Sequence, residues 1–149
     1  MNTKINTHAI LAPGEGEVLE AGGNLLAIKV ASPSQLVCEY TAPPFFAGPP
    51  LHIHPGFDET FLILDGRLEV TVRGESAVLT PGATAYVSGE VPHTFRNPDG
   101  EPARFLLVCT PGAMVDYFRG IAAGDIELVA AAAERVGYRP VESADSTRA

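Results

Sequence analysis

Turn-forming pairs break this chain at short intervals: Pro43-Pro44, Pro55-Gly56, Asp65-Gly66, Arg73-Gly74, Pro81-Gly82, Asp99-Gly100 and Pro111-Gly112. Proline lacks a ladder donor and glycine supplies positive φ, so the stretches between these breaks suit strands of roughly four to eight residues rather than helices. The 15 Gly and 13 Pro of the 149-residue chain therefore point to an all-β barrel. The length suits one domain whose core needs no disulfide support.

Alternation of apolar and charged residues assigns faces to these strands. With Lys29 outward, Leu26, Ile28 and Val30 face inside; with Glu39 outward, Leu36, Cys38 and Tyr40 do; with Arg104 outward, Phe105, Leu107 and Cys109 do. Residues 1–23 read as an irregular arm with a short strand near 9–12. Asp65-Gly66 reads as a two-residue hairpin joining strands 59–64 and 67–73, and further strands follow at 77–79 and 83–87. The proline-rich stretch 41–50 reads as a stiff loop carrying Phe45 and Phe46 to a barrel mouth or a subunit contact. Beyond Pro111-Gly112, Met114, Val115, Phe118, Ile121 and Ala122 recur at helical spacing. Gly124 ends that helix, and Asp125 caps a second that carries Leu128, Val129, Ala132 and Val136 to Gly137. The expected layout is a barrel over 24–112, helices over 113–137 and a frayed tail over 138–149.

The formal net charge of -8 leaves no basic surface for nucleic acid or anionic membranes. The N-terminus shows no charged-then-apolar signal segment and no apolar run is long enough to cross a bilayer, so the expected compartment is the cytoplasm. Cys38 and Cys109 then read as reduced core thiols. Leu106 and Val108 fall on the outer face of their strand and need cover, which suggests a homodimer.

The chemistry concentrates at Pro50-Leu51-His52-Ile53-His54-Pro55-Gly56-Phe57-Asp58-Glu59. Two histidines one residue apart in an extended segment share a face. Pro55-Gly56 interrupts the strand, and the run from Glu59 is expected to return as the next strand of the same sheet, turning Glu59 toward both imidazoles. Downstream, His93, Phe95 and Asn97 form an inward row while Arg96 points out. His52, His54, Glu59 and His93 make a three-imidazole, one-carboxylate set suited to one divalent iron, manganese, nickel, copper, cobalt or zinc ion per chain. Phe61 and Ile63 share the face of Glu59, and with Tyr40 and Phe95 they are the expected pocket for a small organic molecule. Asp58, on the opposite face, is a surface acid or a partner to the ligands.

His52, His54, Glu59 and Gly66 match the first motif of the cupin superfamily, and Gly82, His93 and Asn97 match the second. The proline and second glycine usual in the second motif are replaced by Ser88 and Glu90. The flanks Pro13-Gly14-Glu15-Gly16-Glu17, Thr110-Pro111-Gly112 and Asp116-Tyr117-Phe118-Arg119 resemble single-domain cupins related to quercetin 2,3-dioxygenase. The resemblance implies a double-stranded β-helix, or jelly-roll, barrel with a short C-terminal helical appendage. It also implies a metal-dependent dioxygenase acting with dioxygen on a small enol, flavonoid-like or polyketide-like molecule. A metal Lewis-acid isomerase or decarboxylase, or a non-catalytic binding protein, are the alternatives. Glu59 would act as a general base or stay a permanent ligand.

Overall fold

The computed structural model describes residues 8–143. The strands β1 (Glu17–Ala21), β2 (Asn24–Ala31), β3 (Leu36–Ala42), β4 (His52–Ile53), β5 (Asp58–Asp65), β6 (Leu68–Val72), β7 (Glu75–Leu79), β8 (Thr84–Val87), β9 (His93–Arg96) and β10 (Ala103–Thr110) come first. They are followed by α1 (Val115–Ala123), α2 (Ile126–Val136) and β11 (Arg139–Pro140). One antiparallel sheet runs β1-β2-β3-β10-β5-β8 and the other β11-β4-β9-β6-β7. Between β3 and β10 the chain changes sheet at every step except the β6–β7 hairpin, which makes a jelly-roll.

That alternation corrects two expectations. Asp65-Gly66 does not close a hairpin, because β5 pairs with β10 and β8 while β6 pairs with β7 and β9. It is a corner between sheets: Gly66 has φ 74, and a Cβ there would stand 2.6 Å from the Pro102 carbonyl oxygen. Likewise β5 is not the sheet neighbour of β4; Glu59 reaches the histidines from the facing sheet. A turn dipeptide reports a change of direction and not which strand the chain pairs with afterwards.

The inner faces follow the alternation closely. Leu26, Leu36, Cys38, Phe61, Ile63, Phe105, Leu107 and Cys109 fill the space between the sheets. Tyr40 stacks on Phe105 at 4.7 Å between centroids, and Phe95 meets Phe61 at 5.4 Å. Val30 departs from its expected inward position. Ile28 pairs with Cys38 and Val30 with Val37, so Lys29 is the extra residue of a bulge that shifts Val30 onto the outward row.

The arm and tail also carry more order than their composition suggests. No strand forms near residues 9–12, but Glu17–Ala21 pairs along β2 and its Glu17 carboxylate takes two hydrogen bonds from Arg119 of α1. Gly124 and Gly137 end the helices with left-handed φ of 67 and 68, and the Asp125 side chain accepts from the Leu128 amide. Within the stretch expected to fray, Arg139 and Pro140 pair with Ile53 and His52. The rest of that expectation, residues 144–149, lies outside the described residues, as does the arm over 1–7. No described helix is long and apolar enough to cross a membrane.

Candidate metal centre

Three strands and one turn bring the four donors together. His52 on β4 pairs with His93 on β9, and the turn after β4 is closed by the Phe57 amide donating to the His54 carbonyl. Gly56 packs so tightly on the end of α2 that a Cβ would come 2.6 Å from Val136 Cα, and its amide donates to the Val136 carbonyl. Glu59 enters from β5 across the barrel. All four residues are buried, and one ligand atom from each lies within 4.8 Å of every other.

Each ring is oriented by a backbone carbonyl. His52 Nδ1 lies 2.7 Å from Pro50 O, His54 Nδ1 2.9 Å from Phe57 O, and His93 Nδ1 2.7 Å from Val91 O. A carbonyl can only accept, so every Nδ1 carries the hydrogen. In a neutral ring this leaves Nε2 as a bare lone pair, the arrangement that second-sphere partners impose on metal-ligating histidines.

The interior of the cluster tests whether a cation fits. His54 and His93 Nε2 are 2.8 Å apart, and Glu59 Oε1 lies 3.4 Å from the first and 2.9 Å from the second. Acceptors crowded this closely repel unless positive charge sits among them. One proton relieves one such contact; a divalent cation relieves them all. Two donors held at right angles around one ion at ~2.1 Å would stand about 3.0 Å apart, close to these spacings. His52, His54, Glu59 and His93 could therefore bind a metal.

The electrostatics agree. Burial pushes the Glu59 carboxyl up, but hydrogen bonds and charge from His54 and His93 outweigh it and bring the group down to about 2. Burial, aided by His93, takes His52 down to about 4, so its imidazole is neutral at ordinary pH. Burial also works against protonating His54, yet the hydrogen bond and charge of Glu59 leave it raised.

A cavity of about 230 Å³ opens beside the cluster and is lined by His52, His54 and Glu59. Of the expected pocket residues, Tyr40 and Phe95 line it. Phe61 and Ile63 do not: their side chains are consumed by packing deeper between the sheets, with 0% and 1% exposure. Period-two alternation identifies the inward face but cannot say which inward residues stop short of a void. Phe46, expected at a barrel mouth or a subunit contact, lines it too, and the walls that sequence reasoning did not assign to the pocket are Phe57, Leu107 and, from the segment after Pro111, Met114, Tyr117, Phe118, Ile121 and Tyr138. The helical stripe at Met114, Phe118 and Ile121 was legible, but as a docking face; Tyr138, whose ring lies tilted beside that of His52 at 5.1 Å between centroids, gives no sequence signal.

Two further residues stabilise the frame. Asn97 is not turned toward the metal donors: its Nδ2 donates to the Pro43 and Glu101 carbonyls, and its Oδ1 accepts from the Asp99 amide, tying the 41–50 loop to the β9–β10 connection. That loop splits its aromatic pair, with Phe46 on the cavity and Phe45 71% exposed. Asp58 accepts from the Gly89 amide and from the Tyr86 hydroxyl, so it braces the turn that leads into His93.

The chain is similar to several known proteins. A family profile for the cupin domain matches residues 40–109. Over 47 residues the chain is 43% identical to a quercetin 2,3-dioxygenase of Bacillus subtilis, a match covering 32% of this chain and 14% of that protein. KdgF from a Halomonas species superposes with a TM-score of 0.62 at 20% identity, over 70% of this chain and 94% of that one. An RmlC-like cupin from Shewanella frigidimarina gives 0.61 at 17% identity, over 70% and 92%. A Thermus thermophilus protein gives 0.52 at 32% identity, over 58% and 83%. The matched segment holds all four donors, and the sheets around them are built as in those structures: the chain belongs to the cupin superfamily.

Proposed function

We propose that this protein is a metal-dependent oxidoreductase of the dioxygenase kind, acting on a small organic molecule with an enol or enolic hydroxyl. The observation that carries this reading is the buried cluster of three imidazoles and a carboxylate opening directly onto an aromatic cavity. The partial likeness to quercetin 2,3-dioxygenase supports the reaction class. When bound, a divalent metal would supply Lewis acidity toward the enol oxygen and a path for electrons between substrate and dioxygen.

The chain's own residues do the rest. Tyr40, Phe46 and Phe95 hold the flat part of the substrate and keep bulk water from the reacting face. Glu59 lines the same cavity, and its carboxylate accepts the enol proton in this reading. The cavity is below the roughly 300–1,000 Å³ usual for ligand pockets, which favours a single-ring enol over a full flavonoid.

The test is a metal-reconstituted sample offered small enols and flavonols under air and under nitrogen. Oxygen uptake that tracks product formation is the expected result. Equal turnover under nitrogen would replace the oxygenase with a Lewis-acid isomerase or decarboxylase. Binding without turnover with every metal tried would leave a binding protein.

A further inference from the structure

Tyr40, on the inward row of β3, is held by three aromatic rings. It stacks on Phe105 at 4.7 Å between centroids and meets Phe95 at 5.9 Å and Phe118 at 6.4 Å edge-on. A phenylalanine would make the same three contacts, so packing does not account for the hydroxyl. A buried phenol ordinarily finds a hydrogen-bond partner. Tyr40 is 5% exposed, and among the described residues its hydroxyl has none. Yet it is not sealed in: the one buried side-chain nitrogen or oxygen that is both closed off and unpartnered is Oδ1 of Asn24. The Tyr40 oxygen therefore keeps accessible surface, and the space it opens onto is the cavity that Tyr40 lines with His52, His54 and Glu59.

The strand register carries the wall from the metal donors to this hydroxyl. Glu59 pairs with Cys109, and Leu107 lies two places along β10; Leu107 pairs with Cys38, and Tyr40 lies two places along β3. Glu59, Leu107 and Tyr40 thus form a diagonal across three adjacent strands, and all three line the cavity. Each diagonal step is about 7–8 Å, and side chains on the inner face of a curved sheet converge. The charges agree. Burial first, and then the acidic groups of Cys38, Glu59 and Tyr117, hold the phenol above its ordinary range. It keeps its proton at neutral pH and stands within electrostatic reach of a metal donor.

We propose that Tyr40 is a specificity-determining residue whose O–H donates to an oxygen on the side of the ligand away from the metal, so that the cavity takes small enols carrying a second, acceptor oxygen. This rests on the metal-directed binding mode given above. The contribution is one of recognition: no bond is made or broken at Tyr40.

Matched ligands test it. Kojic acid and allomaltol are hydroxypyranones with the same enol and ketone, and differ only in a hydroxymethyl or methyl group across the ring. Maltol and its hydroxymethyl analogue make the same exchange beside the enol. Binding of each is measured by titration calorimetry to zinc-loaded protein, wild type and Tyr40→Phe, with folding of the variant checked by its thermal transition. The expected result is that Tyr40→Phe weakens the hydroxymethyl member relative to the methyl member by about three- to tenfold in at least one pair, and binds the methyl members as before.

A relative change below about threefold in both pairs, or an equal loss for both members, overturns the proposal. Should Tyr40→Phe fail to fold, wild type decides: a hydroxymethyl member bound more tightly than its methyl counterpart sustains the role, and no such preference in either pair ends it. The two readings fail separately. Allomaltol and maltol binding unaffected by removal of the zinc would refute metal-directed binding, whereas an unchanged ratio within the pairs refutes only the role of Tyr40.

Discussion

Gly89→Ala should damage both stability and metal binding, through steric contact rather than backbone conformation, since Gly89 does not have a positive φ. A Cβ there would fall far inside contact distance of the Phe57 and His54 carbonyl oxygens, and 2.8 Å from His54 Nδ1. Backbone oxygens cannot rotate away, so the loop must move. Moving it breaks the hydrogen bond from the His54 amide to the Gly89 carbonyl at 2.8 Å, and that from the Gly89 amide to Asp58 at 3.0 Å. At about 1 kcal/mol for the neutral bond and ~1.5–3 kcal/mol for the charged one, the loss comes to roughly 2–4 kcal/mol. With a urea slope near the middle of the usual range, about 2 kcal/mol/M, the unfolding midpoint of the metal-free protein should fall by roughly 1–2 M. Because the same neighbours orient the His54 ring, zinc affinity measured by competition with a chromophoric chelator should drop about 10–100-fold. The adjacent Glu90→Ala, at an exposed position, should change stability by less than about 0.5 kcal/mol. An alanine at position 89 that leaves the midpoint and the affinity unchanged would refute the argument.

The double variant His52→Ala, His93→Ala should purify without bound metal under conditions in which wild type retains about one ion per chain; elemental analysis showing equal content would remove these residues from the centre. For wild type, zinc at a hundredfold excess over its dissociation constant should add about 2.7 kcal/mol to unfolding, read as a chelator-reversible rise in Tm, and no rise would count against native-state binding. Cys38 and Cys109 are both fully buried, and burial pushes Cys38 up to about 12 and Cys109 well above its ordinary value. A disulfide-exchange reagent at pH 8 should therefore find no fast thiol in the native protein and two after unfolding; one fast native thiol would contradict that environment. We also propose a homodimer that covers the outer face of β10, where Leu106 and Val108 are only half-buried, and sedimentation giving only monomer at micromolar concentration would end that proposal.

The parts of the fold legible in the sequence were those governed by one strand at a time. Charged residues such as Glu39 and Arg104 fixed the inward rows of β3 and β10, and the spacing of His52, His54, Glu59 and His93 anticipated a cluster that the structure brings together. What escaped depended on pairing between distant segments. The Asp65-Gly66 corner reads locally like a hairpin, and only the pairing of β5 with β10 and β8, and of β6 with β7 and β9, shows otherwise. The bulge at Lys29 exists because β2 must stay in register with β3, a condition invisible within β2 itself. The cavity was the least legible feature, since its boundary is set by which large side chains interlock completely, as Phe61 and Ile63 do, and which leave space beside them, as Tyr40 and Phe95 do.

The wall contributed by Met114, Tyr117, Phe118, Ile121 and Tyr138 lies wholly outside residues 40–109, while every metal donor lies inside. The donors and a large part of the cavity wall thus come from different stretches of one chain. The two stretches are nonetheless mechanically joined, because the segment after Pro111 also carries Val136, whose carbonyl takes the Gly56 amide, and Arg139 and Pro140, which pair with Ile53 and His52. Exchanging that segment would therefore reshape the cavity wall and, in the same stroke, loosen the strand of His52 and the turn beside His54.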